Sequence, residues 1–280
     1  MWFFRSGPVV PVLRFAGPIG MVTPLRPGIS MSQCAGAIEK AFQMSKLPSV
    51  AVLINSPGGS PVQSSLIFRR IRQLAEEHEK KVYVFCEDVA ASGGYYLSLA
   101  GDEIYADASS IVGSIGVIFA GFGFDKAIEK IGISRRVYTA GEHKDALDSF
   151  KPENPQEVER LKELQRDVHD AFIGVVKERR AGRLKAPDQE LFSGAFWSGP
   201  KAMDLGLIDG ISDVRTKMRE LHGDKVRLRV VPMERGGLLS RLRRLPGITG
   251  YEDLTPHRLA LGEDLISAIE TRALWSRFGL

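Results

Sequence analysis

Three short clusters of this sequence hold residue types able to do chemistry. The first is Ser92-Gly93-Gly94, inside the run VAASGGYYLSLAG. A serine between a strand and a helix is exposed, with the next amide just behind it, which suits a nucleophile whose oxyanion hole uses that N–H. The same residues also suit an N-cap serine followed by glycines for close packing. The second cluster is Ser56-Pro57-Gly58-Gly59. Paired glycines there let backbone N–H groups face outward, and a helix start adds positive partial charge. Such a turn can hold an oxyanion, a phosphate or a thioester carbonyl, or it is only a tight strand-to-helix turn. The third cluster is AGEHKDALDSF, with His143 and Lys144.

A serine hydroxyl is a poor nucleophile and needs a base. Of the five histidines, His78 and His169 fall on charge-rich helical segments, and His222 and His257 fall late in the chain. Only His143 is close to a loop fit for a site. A lysine serves instead where burial makes its charged form expensive. Lys144 is that candidate, with a solvated surface lysine as the ordinary alternative.

The elements that must carry these clusters alternate strand and helix. SVAVLIN (49–55) is continuously apolar, as in a strand covered on both faces. Ser60, Pro61 and Gln63 predict a capped helix start, followed by an apolar face through Val62, Leu66, Ile71 and Leu74. KVYVF predicts the next strand, and Ser92 opens a helix. EIYA, SIGVIF and SRRVYTA read as further strands, and FDKAIEKIG as a short helix. A long helix starts at Asn154-Pro155 with an apolar stripe from Val158 to Val175 and ends near Gly182. GPKAMDLGLID predicts a final helix and strand. The alternation predicts a layered α/β fold with mostly parallel strands flanked by helices.

Composition excludes several classes. With 280 residues and 44% apolar content the chain can bury a sizeable core. A net charge of +4, with basic residues scattered, does not point to nucleic acid. Two cysteines, Cys34 and Cys86, make neither a disulfide framework nor a zinc array. Pro8, Pro11, Arg5 and Arg14 interrupt the N-terminus, so it does not read as a signal sequence. The longest apolar run, Ile111 to Phe124, has 14 residues where a membrane helix needs about 20. A soluble, cytoplasmic chain is expected, with peripheral contact at the inner membrane through the basic stretch 234–246. Beyond Val231 the chain reads as a basic linker followed by an amphipathic helix. Two domains of unequal weight result, 1–231 and 232–280.

NSPGG, AASGGYY, GSIGV, GEHKDA and FWSGPKAMDLGLID occur in this order. In this the sequence resembles the signal peptide peptidase A and SohB family of serine proteases, over roughly Val9 to Val231. The resemblance implies a ClpP/crotonase-type layered fold and a Ser–Lys dyad. It maps the nucleophile to Ser92 and the base to Lys144, 52 residues later. It gives Ser114 the task of orienting the lysine, and places oxyanion-hole amides at Gly59, with Gly58 as neighbour, and Gly93. His143 stands where the family often has tyrosine. No metal or organic cofactor is implied. Substrates would be extended apolar peptides, such as signal-peptide or membrane-protein fragments, and the chain would form a homo-oligomeric ring. Two other readings share the fold. A crotonase-like acyl-CoA enzyme would not require the Ser–Lys pair, and a non-catalytic scaffold would not require an intact Ser92 and Lys144.

Overall fold

The apolar runs become the middle of a sheet. The computed structural model describes residues 7–20, 28–233 and 272–280. Eight strands follow in chain order: β1 (Val9–Ala16), β2 (Ser49–Ser56), β3 (Lys81–Ala91), β4 (Glu103–Ala106), β5 (Ile111–Gly113), β6 (Phe196–Ser198), β7 (Gly210–Ile211) and β8 (Arg227–Val230). Their order is β6-β5-β3-β2-β1-β8, with β4 pairing both β3 and β7. Every pairing is parallel except β5 with β6. β3 is long enough to serve two partners. Its first part, Tyr83–Cys86, pairs with β4, and its last part, Val89–Ala91, pairs with β5.

Both sheet faces are covered, which is why the strands are continuously apolar. Along β1, Leu13 and Phe15 face the larger core and Val10 and Val12 the smaller one. The larger core is closed by α1 (Met31–Gln43), α2 (Pro61–Glu77), α3 (Gly93–Ser98) and α5 (Pro155–Arg179). The smaller is closed by Met218 of α8 (Val214–His222). Each fully buried large apolar side chain contributes roughly 1.5–3 kcal/mol. The short helices are α4 (Asp125–Lys130), α6 (Asp188–Leu191) and α7 (Gly199–Asp204). The result is the layered α/β arrangement that the alternation predicted.

Two polar devices lock α3 and α5 onto the sheet. The Tyr95 hydroxyl donates to the Leu207 carbonyl at 2.7 Å. Arg180, 1% exposed, donates to the Gly206 carbonyl and to Asp209, which also accepts from the Ile104 amide. A buried guanidinium is tolerated because its donors are matched in this way. Tyr96 packs on Phe172 of α5 at 5.0 Å between ring centroids and edge-on against Phe68 of α2. The two tyrosines after Ser92 thus anchor the helix start to three elements.

The buried thiols are inert by the same logic. Burial pushes Cys34 up to about 11 and Cys86 up to about 12, because desolvation penalises the thiolate. At pH 8 a disulfide thiol reagent is expected to find no reactive cysteine in the native protein and two after denaturation. Rapid native reaction of either thiol would contradict this burial.

Some local expectations are corrected. The strand read over SRRVYTA is absent: residues 133–139 carry no regular structure and are exposed. SIGVIF does not form a strand either. β5 stops at Gly113, and the chain leaves the sheet as an exposed arm over 118–153. The helix start at Ser60 has its N-cap bond to the Gln63 amide, but the Gln63 side chain accepts from the Met31 amide and does not return to Ser60. The basic stretch 234–246 lies outside the described residues. Among the described residues, no helix is long and apolar enough to cross a membrane.

Candidate active site

Ser92 occupies a sharp elbow. β3 ends at Ala91, α3 begins at Gly93, and Ser92 between them has φ 51° and ψ −120°. A non-glycine residue held there costs about 1–3 kcal/mol, so surrounding bonds must impose it. They do: its amide donates to the Gly113 carbonyl at 2.8 Å, and its carbonyl accepts from the Tyr96 amide at 2.9 Å. Its side chain makes no capping bond to α3. The hydroxyl is therefore presented, not spent on the helix. The glycines that follow are required by close approach. A Cβ on Gly93 would meet Ser64 Oγ at 2.6 Å, and one on Gly94 would meet the Ser56 carbonyl at 2.5 Å.

The Gly58-Gly59 turn lies against this elbow. The Ile19 amide donates to the Gly58 carbonyl, and the Ser60 amide to the Ile19 carbonyl, each at 2.8 Å. Strand groups alternate in direction, so the Gly59 amide faces away from Ile19. Its nitrogen lies beside Gly93, where an added Cβ would come within 3.3 Å of it. Among the described residues neither the Gly59 nor the Gly93 amide has an acceptor. Gly58 acts differently: its amide donates to Ser56 Oγ at 3.2 Å. Its bare Cα makes room, since a Cβ would lie 2.8 Å from both the Ser92 Cβ and the Gly93 nitrogen.

Ser114 joins the same cleft from β5. Gly113 (φ 116°) and Ser114 (φ 53°) turn the chain out of the sheet, with the Ser114 amide donating to the Ala195 carbonyl. Two cavities open beside Ser92. One, of about 320 Å³, runs between α2 and α5 and is walled by Val62, Tyr96, Val168 and Phe172. The other, of about 670 Å³, includes Ser114, Gly116, His169 and Arg277. The first has apolar walls and suits a hydrocarbon side chain.

Lys144 is placed apart from these residues. It is exposed on the arm and lines neither cavity that contains Ser92. His143 is exposed beside it, 4.0 Å from the Glu142 carboxylate. The single chain thus gathers Ser92, Gly58, Gly59, Gly93 and Ser114 but not Lys144. Sequence reasoning missed His169. It falls on a charge-rich helical segment, yet it lines the cavity that contains Ser92. Its position three residues before the buried Phe172 was the available signal, because residues three apart share a helix face.

A serine raised on a strained elbow, with two amides beside it that have no acceptor among the described residues, has the geometry that a serine-type hydrolase uses. Comparison with known proteins gives the class of bond. The family model described as Peptidase family S49 matches residues 75–227. A putative protease of Synechocystis sp. is 32% identical over 234 residues, which is 81% of each chain. A putative signal peptide peptidase SppA of Enterococcus faecium is 29% identical over 67% of this chain and 54% of its own. A Brucella abortus protein named Na(+)/H(+) antiporter NhaA is 54% identical over 97% of this chain, which spans only 37% of that relative's length. The region aligned with it takes in the residues matched by the peptidase family model. The chain belongs to peptidase family S49 and carries a serine-type peptidase domain.

Proposed function

We propose that this chain hydrolyses peptide bonds in extended, apolar peptides by a Ser92–Lys144 dyad. The observation that carries the reading is the strained Ser92 elbow, which sets a hydroxyl that makes no capping bond beside the Gly59 and Gly93 amides, neither of which has an acceptor among the described residues. In the first half-reaction the Lys144 amine takes the Ser92 proton while Oγ bonds to the peptide carbonyl carbon. The carbonyl oxygen becomes an oxyanion facing the two amides. The C–N bond then breaks, and the leaving amine takes the proton from Lys144. Water attacks the acyl-enzyme with Lys144 again as base, releasing the acid and restoring Ser92. Each oxyanion donor supplies about 2.7–4 kcal/mol of transition-state stabilisation. Ser114 would orient the lysine. The apolar cavity beside Ser92 supports an apolar substrate side chain.

A lysine acts as a base only when neutral, and burial favours that form. One copy of the chain leaves Lys144 exposed, together with an arm whose Ile118 is 66% exposed, Phe122 69% and Tyr138 91%. A second copy covering the arm would bury the apolar residues and the lysine together, and would bring Lys144 of one copy to Ser92 of the next. A homo-oligomeric ring, working in the cytoplasm or at the inner face of a membrane, fits this need. The test is cleavage of an apolar fluorogenic peptide by wild type, Ser92→Ala and Lys144→Ala. Undiminished cleavage by both variants would overturn the dyad.

A further inference from the structure

His169 sits where it can control the substrate-facing edge of the cleft. The chain after Ser114 leaves the sheet, and residues 116 and 117 line both cavities beside Ser92. Among the described residues, the segment 115–123 makes one hydrogen bond: His169 Nε2 lies 3.1 Å from the Ile115 carbonyl oxygen. A carbonyl only accepts, so Nε2 carries the proton, and the tautomer is set by this contact. Among the described residues, the backbone groups of Gly116 and Val117 have no partner. They are free to meet an extended peptide as an added strand meets an edge. Position along that edge depends on where Ile115 is pinned. Its side chain is fully buried, and its carbonyl is held from above by α5. The other end of the clamp is firm, because Phe172, one turn further along α5, is buried against Tyr96.

We propose that His169 is a positioning residue for this peptidase: through the Ile115 carbonyl it sets the Gly116–Val117 edge on which an extended substrate aligns over Ser92. Nε2 is committed to the Ile115 carbonyl, and the role proposed for His169 involves no proton transfer. The inference rests on the peptidase reading but concerns substrate alignment, not bond cleavage. Removing one hydrogen bond of this kind, and leaving the carbonyl unpaired, gives a change of about tenfold.

Two readouts separate alignment from chemistry. Steady-state cleavage of a long apolar peptide reports alignment. The rate at which a small fluorophosphonate labels Ser92 reports the nucleophile and the folded elbow. For His169→Ala, KM for the long peptide is expected to rise about tenfold with kcat within about twofold, and the labelling rate to stay within about twofold. His169→Gln keeps an amide donor of similar reach and is expected to restore KM to within about threefold of wild type. Unchanged KM in His169→Ala, a fall confined to kcat, or a Gln variant as impaired as the Ala variant would each overturn the proposal. If His169→Ala does not label because it does not fold, His169→Leu replaces it, and equal KM values for the Leu and Gln variants overturn the proposal. Failure of wild type to cleave or label would instead count against the peptidase reading.

Discussion

Ser92→Ala is expected to lose at least roughly 10⁴-fold in peptide hydrolysis, since nothing else in the cleft replaces the nucleophile. Lys144→Ala is expected to fall by a similar factor. The informative experiment is to mix them. If Lys144 of one copy serves Ser92 of another, unfolding and reassembling the two dead variants together creates some sites with both residues intact. Part of the wild-type activity should return. If the lysine acted within its own chain, no mixture would recover activity, because every chain lacks one partner. Ser92→Gly sharpens the first half of this prediction. Ser92 holds φ 51° only because its neighbours impose it. Glycine adopts that conformation freely, so the variant should be as inactive as Ser92→Ala yet more stable, by about 1 kcal/mol or a few degrees in Tm. A glycine variant less stable than wild type would mean that the elbow carries no strain.

After the two members of the dyad, Gly59→Ala has the next largest expected effect. The residue has φ +141°, and a Cβ there would sit 2.1 Å from the Ile19 carbonyl oxygen. Backbone cannot yield as a side-chain tip can, so the Ile19 strand and the Gly58-Gly59 turn must part. The amide beside Gly93 then moves away from the oxyanion. A loss of roughly 10²–10³-fold in kcat is expected, as for removal of one oxyanion donor, with a lower Tm. Gly182→Ala is the control. Its φ of +73° also disfavours alanine, though less, and no atom lies within 4 Å of the added Cβ. That variant should lose about 1 kcal/mol of stability and keep its activity. Equal kcat for the Gly59 and wild-type enzymes would remove the Gly59 amide from the mechanism.

Much of the scaffold was legible because its signals are local. The strands at 49–56 and 81–91 are continuous apolar runs, and both faces of the sheet are covered as such runs require. The helix starting at Asn154 is written in its own first residues: the Asn154 side chain accepts from the Gln156 amide, with Pro155 in the first turn. The expected strand over SRRVYTA failed for a related reason. Strand-prone residues such as Val137, Tyr138 and Thr139 make a strand only when a sheet edge is within reach, and this stretch lies on an arm carried away from the sheet after Gly113.

The chemistry divides along the same line. The sequence by itself determined which residues are able to act: a serine among small residues after a strand, two glycines after another strand, and a lysine far along the chain. It left open that Ser92 only caps a helix. The tertiary structure decided that question: the bonds to Gly113 and Tyr96 hold the Ser92 backbone, and its side chain makes no capping bond to α3. It also separated the two glycines of the turn. Gly59 presents an amide and Gly58 makes room, a division set by which of them Ile19 and Ser56 engage. It brought His169 to the cleft across 54 residues through the packing of α5, a distance over which no local pattern carries information. Spacing along a chain specifies residue types and turns. Which polar groups stay unpaired depends on neighbours that only the fold supplies.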